Sequence, residues 1–140
     1  MPQPVPIRPG MVFIACSLNL AGARFVRVTA YEPGDTHVRV EDAEGGYTWT
    51  APIPVRQFHA STKTSSGRLR AIGYAYQPDG VIPWNERITL PTRTGIHAAR
   101  RLPIGLPLHP ACGATTSWGL TQQPAHTTVT CPSCQNRVNA

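Results

Sequence analysis

Acidic side chains are scarce in this sequence. Seven carboxylates, Glu32, Asp35, Glu41, Asp42, Glu44, Asp79 and Glu86, serve 140 residues, and most fall in turn-forming stretches. None is spaced as a pair that would converge on one substrate bond for acid–base work. There is no Gly-x-Ser-x-Gly elbow, phosphate-binding loop, dinucleotide-binding glycine set or His-Glu-x-x-His motif. An enzyme is therefore not expected. Long apolar runs are missing too, and none approaches the ~20 residues that a membrane-spanning helix requires. The opening residues, Met1-Pro2-Gln3-Pro4-Val5-Pro6, lack the basic and apolar regions of a secretion signal. The expectation is a cytoplasmic protein with no membrane partner. Charged residues make up only 14% of the chain, too few for a charged disordered tail.

What is plentiful is proline and glycine, 15 and 12 residues. That content predicts a turn-rich, mainly β protein. The net charge is +6, and Lys63 is the only lysine among thirteen basic residues. Residues 1–80 hold eight basic against six acidic side chains, and residues 81–140 hold five against one, so the excess lies toward the C-terminal part.

Three of the four cysteines gather near that end. The sequence reads His109-Pro110-Ala111-Cys112-Gly113, continues to Thr130, and closes with Cys131-Pro132-Ser133-Cys134. With His109 standing for a first cysteine, this is the spacing of a structural zinc site: two ligands separated by two residues, a loop, then two more. Gly113 suits the turn after a ligand, where positive φ is common, and Pro132 stiffens the second turn. The expected ligands of a structural Zn2+ are Cys112, Cys131 and Cys134, with His109 as the fourth. His97, in the apolar run Ile96-His97-Ala98-Ala99, is the alternative from a neighbouring strand, and His126 is a third candidate. A redox pair at Cys131 and Cys134 would have to follow a strand and open a helix, for which few residues of this sequence follow. A three-cysteine site with a water and a nearby Glu would be hydrolytic, but the His-x-Glu that such deaminases need is absent. Cys16, in Val12-Phe13-Ile14-Ala15-Cys16, reads as a buried core thiol.

Along the chain, residues 1–9 read as an extended proline-rich lead-in and residues 11–15 as a first strand. Residues 25–31 alternate so that Val26, Val28 and Ala30 face inward, and residues 36–41 repeat the pattern with Val38 and Val40. Gly45-Gly46 makes a hairpin turn into a strand at 47–50. Two prolines make residues 52–58 a turn or 3-10 segment, and residues 69–76 give a last strand. This outline predicts a small SH3-like barrel over residues 1–80. Residues 81–94 form a packed linker with one strand-like stretch, Arg87-Ile88-Thr89-Leu90, and with Trp84 and Ile88 giving it something to bury. Residues 95–140 form a zinc-ribbon-like module, too small to fold without its metal.

The run from Gly10-Met11-Val12-Phe13 through Arg24-Phe25-Val26-Arg27-Val28, with the Gly45-Gly46 hairpin and Gly73-Tyr74, resembles small uncharacterised actinobacterial domains with an SH3-like barrel. Ile96-His97-Ala98-Ala99 with Ala111-Cys112-Gly113 and Val129-Thr130-Cys131-Pro132-Ser133-Cys134 resembles a zinc-ribbon-like module of actinobacterial and actinophage proteins, in which a strand histidine precedes the Cys-Gly pair. Neither resemblance implies an activity.

Nucleic acid is the expected partner. Arg68 and Arg70 near the end of the barrel, and Arg93, Arg100 and Arg101 entering the zinc module, offer phosphate contacts, and Trp118 offers a face on which a base can stack. The alternative is a protein-interaction adaptor or host-factor inhibitor that uses the barrel and the zinc module as docking surfaces.

Overall fold

The computed structural model describes residues 6–17, 22–47, 51–91, 93–105, 108–113 and 119–138. Its fold is mainly β and divides into two units, Met1–Val81 and Ile82–Ala140.

The first unit begins with β1 (Val12–Ala15), whose four residues are all buried, as an uninterrupted apolar run predicts for a central strand. It pairs antiparallel on one side with β2 (Phe25–Ala30) and on the other with β6 (Tyr74–Tyr76). β3 (His37–Asp42) extends the sheet beyond β2, and its strict alternation buries Val38, Val40 and Asp42. The full order is β4 (Ile53–Pro54), β3, β2, β1, β6, β5 (Phe58–His59), with β5 and β6 parallel. β4 and β5 occupy opposite edges of this order, yet only the 3-10 turn Val55–Gln57 separates them in the chain. The two edges are therefore brought within one turn of each other, which makes the sheet nearly closed and barrel-like. Inside it Phe13 and Phe58 meet edge to face at 4.8 Å, among Val26, Val28, Val38, Val40 and Ile53.

Several local expectations differ from this structure. Ala30 is exposed because the register between β2 and β3 shifts between Val28 and Ala30, which breaks the alternation. The expected strand at 47–50 starts on Tyr47, which is half exposed and in no strand; the rest lies outside the described residues. The meander is completed by β4 instead, an edge position where Pro54 needs no ladder donor. Of residues 69–76 only the last three join the sheet.

Asp42 closes β3 with a buried carboxylate. Its Oδ1 accepts from the Glu44 N–H and its Oδ2 from the Tyr47 N–H, each at 2.9 Å. Replacing it with alanine strands both donors, and Asp42→Ala is expected to lower stability by about 1–3 kcal/mol. Asp42→Asn keeps one acceptor and should lose less. Urea unfolding of the two variants checks this order; equal losses would assign the cost to charge rather than to acceptor count.

The second unit is an antiparallel sheet in the order β10 (Thr121–Gln123), β7 (Glu86–Leu90), β8 (Arg93–Arg101), β9 (Leu108–Pro110), followed by the helix α1 (Pro132–Val138). The strand-like stretch 87–90 of the expected packed linker 81–94 lies within β7, and residues 93–94 begin β8, with Ile88 and Leu90 buried against Ala99 and Leu108. The expected strand at 127–130 is not a strand; β10, which sequence reading missed, takes the edge beside β7. Ala98 and Ala99, adjacent in β8, belong to different clusters. Ala99 joins Ile88, Leu90 and Leu108, while Ala98 joins Cys131 and Cys134, with Trp84 and Cys112 packed alongside. Among the described residues no helix is long and apolar enough to cross a membrane.

Candidate metal centre

The long central strand β8 supplies the first donor. His97 is 1% exposed, and its Nδ1 lies 3.5 Å from the Cys112 Sγ and 3.7 Å from the Cys134 Sγ. Cys112 sits in the turn after β9, which is closed by the Gly113 N–H donating to the Pro110 carbonyl at 3.0 Å, with Gly113 at φ +75°. That turn is fixed to β8 by the Ala111 N–H donating to the Ala98 carbonyl at 2.8 Å.

Cys131 and Cys134 lie where α1 begins. Pro132 occupies the first helical position, where its missing N–H is no loss and its fixed φ suits the turn. The N–H groups of Thr130 and Cys131 both donate to the Ile96 carbonyl, at 3.0 and 3.1 Å, and the Ile96 N–H donates to the Thr130 Oγ1 at 2.7 Å. Gly95 makes this approach possible: it has φ +96°, and a Cβ there would stand 2.8 Å from the Thr130 Oγ1. A glycine inside a strand was the sequence signal for this docking point.

The four donor atoms of His97, Cys112, Cys131 and Cys134 all lie within 4.8 Å of one another. Around an ion bound at the usual lengths, tetrahedral edges are about 3.6 Å from nitrogen to sulfur and about 3.8 Å from sulfur to sulfur. The two His97 distances fall on that edge. All four cysteines of the chain are free, so no disulfide competes for these sulfurs. The imidazole Nε2 is buried without a hydrogen bond of good geometry, while Nδ1 faces the Cys112 and Cys134 sulfurs.

Titration favours ligation as well. Burial, then the nearby Arg93 charge, lower the His97 pKa while the Arg93 and Thr94 backbone pulls the other way, so the ring stays neutral, the form that binds metal. Burial opposes ionisation of Cys131, but hydrogen bonds from the backbone and thiol of Cys134, the backbone of Ser133 and the thiol of Cys112 bring its pKa below the ordinary value. Cys134 is pushed up to about 12, first by burial and then by sharing protons with Cys112 and Cys131. A divalent cation held here would supply the positive charge that lets all three thiols ionise together.

No known protein family matches this chain, and no curated protein and no solved structure is significantly similar to it.

His109, the expected fourth ligand, is outside the cluster. It lies on β9 opposite Arg100, in extended backbone rather than in the turn, so its two-residue separation from Cys112 does not converge on one point. His126 is exposed and also apart from the four. The helix argued against at the second cysteine pair is present as α1, so Cys131 and Cys134 do open a helix; two further donors converge on them.

The proposed nucleic-acid contacts are scattered. Arg68, Arg93 and Arg101 are exposed. Arg70 is half-buried, with its Nε donating to the Ser61 carbonyl at 3.0 Å. Arg100 is corrected: it is 2% exposed, lies 3.9 Å over the Trp84 ring and donates to the Ile82 carbonyl, so it cannot reach a phosphate. Trp118 lies outside the described residues.

Proposed function

We propose that this chain is a zinc-stabilised nucleic-acid-binding protein, built as an SH3-like barrel followed by a zinc-ribbon-like module, with a regulatory role in an actinobacterium or one of its phages. The last element comes from the resemblance alone. Three sulfurs and one imidazole within 4.8 Å of one another suit zinc, and four protein donors around it would leave no position open for a reactive water, so the ion would be a scaffold. Bound zinc supplies a rigid junction. His97 holds β8, Cys112 holds the turn after β9, and Cys131 and Cys134 hold the start of α1.

The observation that carries the nucleic-acid reading is charge. Lys63, Arg68, Arg93 and Arg101 are exposed, while residues 81–140 contain one carboxylate, Glu86, already accepting from Gln122 at 2.6 Å. Exposed arginines neutralise phosphates and release counterions on binding. The test is a salt titration of binding to labelled DNA and RNA, single- and double-stranded. With three or four phosphate contacts, raising salt from 50 to 200 mM should weaken binding by roughly 40–150-fold. Absence of binding below 100 mM salt would overturn the reading.

A protein-docking role is the second reading, favoured by one feature of the first unit. An apolar cavity of about 340 Å³ is lined by Val26, Val40, Ile53 and Tyr74, with the half-exposed Tyr47 at its rim. Aromatic-walled hollows on small barrels accept peptide side chains. A pull-down that survives nuclease and is lost in Tyr47→Ala would support it.

A further inference from the structure

Between β5 and β6 the chain leaves the sheet and returns as a two-stranded arm. The Thr64 N–H donates to the Arg68 carbonyl and the Arg70 N–H to the Thr62 carbonyl, each at 2.8 Å, with Lys63 bridged to Leu69 between them. The tip is a tight turn: the Gly67 N–H donates to the Thr64 carbonyl at 2.9 Å, with Gly67 at φ +85°. A type I turn followed by a left-handed glycine is a standard way to join two strands. Hydroxyls brace the arm from within. The Ser61 Oγ exchanges hydrogen bonds with the backbone of Lys63, and the Thr64 and Ser66 hydroxyls meet at 2.9 Å.

The outward side chains of this arm combine two features. Lys63 and Arg68 are exposed, Arg70 lies at the base, and residues 45–78 contain no carboxylate at all. Beside these cations Leu69 is 46% exposed and Ile72 is 73% exposed, two of the four large hydrophobic side chains left open among the described residues. A surface that is purely for solubility has no need of the second feature, and an apolar contact alone has no need of the first.

We propose that this arm is a duplex-DNA contact. Lys63 and Arg68 grip phosphates, and Leu69 and Ile72 press against a base step from the minor groove. Apolar wedges flanked by cations open a step there and bend the duplex. A bilayer surface would also attract cations and apolar groups, but interfacial segments favour aromatic anchors, and residues 61–72 contain none. The proposal rests on the nucleic-acid reading and specifies its element and its groove.

The test uses the full zinc-loaded chain with three variants: Lys63→Ala with Arg68→Ala, Leu69→Ser with Ile72→Ser, and Arg101→Ala as a cation outside the arm. Probes are a matched 20-base-pair duplex, the same duplex with a central mismatch, and vesicles of phosphatidylserine and phosphatidylcholine. The wild type is expected to prefer the mismatched duplex by about tenfold, because its step is already loosened. The apolar variant should lose that preference and keep the salt dependence. The basic variant should reduce the slope of log affinity against log salt by about 2. All four arm positions are solvent-facing, so unchanged thermal unfolding should accompany these losses. DNA binding that both arm variants retain in full would overturn the arm while leaving the nucleic-acid reading intact. Failure of the wild type to bind either duplex would overturn the arm as a duplex contact, and would overturn the nucleic-acid reading as well only where single-stranded DNA and RNA also go unbound; binding to the vesicles in that case would assign the arm to an anionic membrane surface.

Discussion

Stripping the metal with a chelator is expected to unfold residues 82–140 and leave residues 1–81 folded. The first unit has a core of its own, with Phe13, Phe25, Ile14, Val28 and Val38 all at or near zero exposure and no metal donor among them. The second is differently made. One side of its sheet is covered by a cluster whose buried members are Ala98, Cys131 and Cys134, so the ligands are themselves the packing. Alanine and cysteine bury little apolar area, and a unit of this size is marginal without a staple. Structural zinc in small fingers contributes about 10–16 kcal/mol of apparent binding energy, as large as the whole stability of an ordinary domain. Hydrogen exchange gives the readout. After chelation, protection should vanish at the amides of Ile96, Thr130 and Cys131, which hold the cysteine turn to β8, and persist at Val28 and Gln77, which pair with β1 and its approach. Cys134→Ser should do the same at ordinary metal concentrations, because even an outer-shell change weakens metal binding by about 10–100-fold and this change removes a donor. In the unsubstituted chain a chelator should act more readily as pH falls, since Cys134, pushed up to about 12, holds a proton that the metal must displace. Protection lost together throughout the chain would show that the two units do not fold independently, and no loss at all would show that the metal is not the keystone of the second unit.

Much of this arrangement is legible in the sequence, and the misses have physical causes. Alternation and turn chemistry mark β1, β2 and β3, and paired prolines mark the 3-10 segment that closes the barrel-like sheet, because these are local properties of consecutive residues. The bulge that exposes Ala30 is not local: it arises where β3 fails to match β2 residue for residue. β10 is equally hidden. Thr121, Gln122 and Gln123 have no apolar alternation, and they become a strand because β7 offers them an unpaired edge. Three of the four candidate metal donors, Cys112, Cys131 and Cys134, follow from spacing. Arg100 illustrates the opposite failure, since its charge suggests the surface whereas the Trp84 ring and the Ile82 carbonyl account for it inside. No composition argument separates a buried arginine stacked on tryptophan from an exposed one.

The fourth donor is the sharpest case, and it carries the second large effect. His97→Ala is expected to weaken metal binding by more than about 100-fold, whereas His109→Ala should leave it within a few-fold. Spacing favours His109 because His-x-x-Cys imitates a two-cysteine turn, but the imitation requires position 109 to lie in the turn. Here the turn starts at Pro110, and His109 is still in β9, directed by strand pairing rather than toward Cys112. His97 succeeds because β8 lies next to β9, and the Ala98 carbonyl that receives the Ala111 N–H also receives the Cys134 thiol at 3.7 Å, which brings both cysteine turns beside its ring. Stability alone does not separate the two histidines, since either substitution removes a side chain packed in the second unit. Cobalt substitution does, because a tetrahedral site of three sulfurs and one nitrogen gives visible bands that change with donor number and type. His109→Ala should keep the wild-type bands. His97→Ala should lose them or shift them, and His97→Cys should restore tight binding with the bands of four sulfurs. Retained bands in His97→Ala together with lost bands in His109→Ala would return the fourth position to the strand residue that spacing favours and leave the burial of His97 without a physical cause.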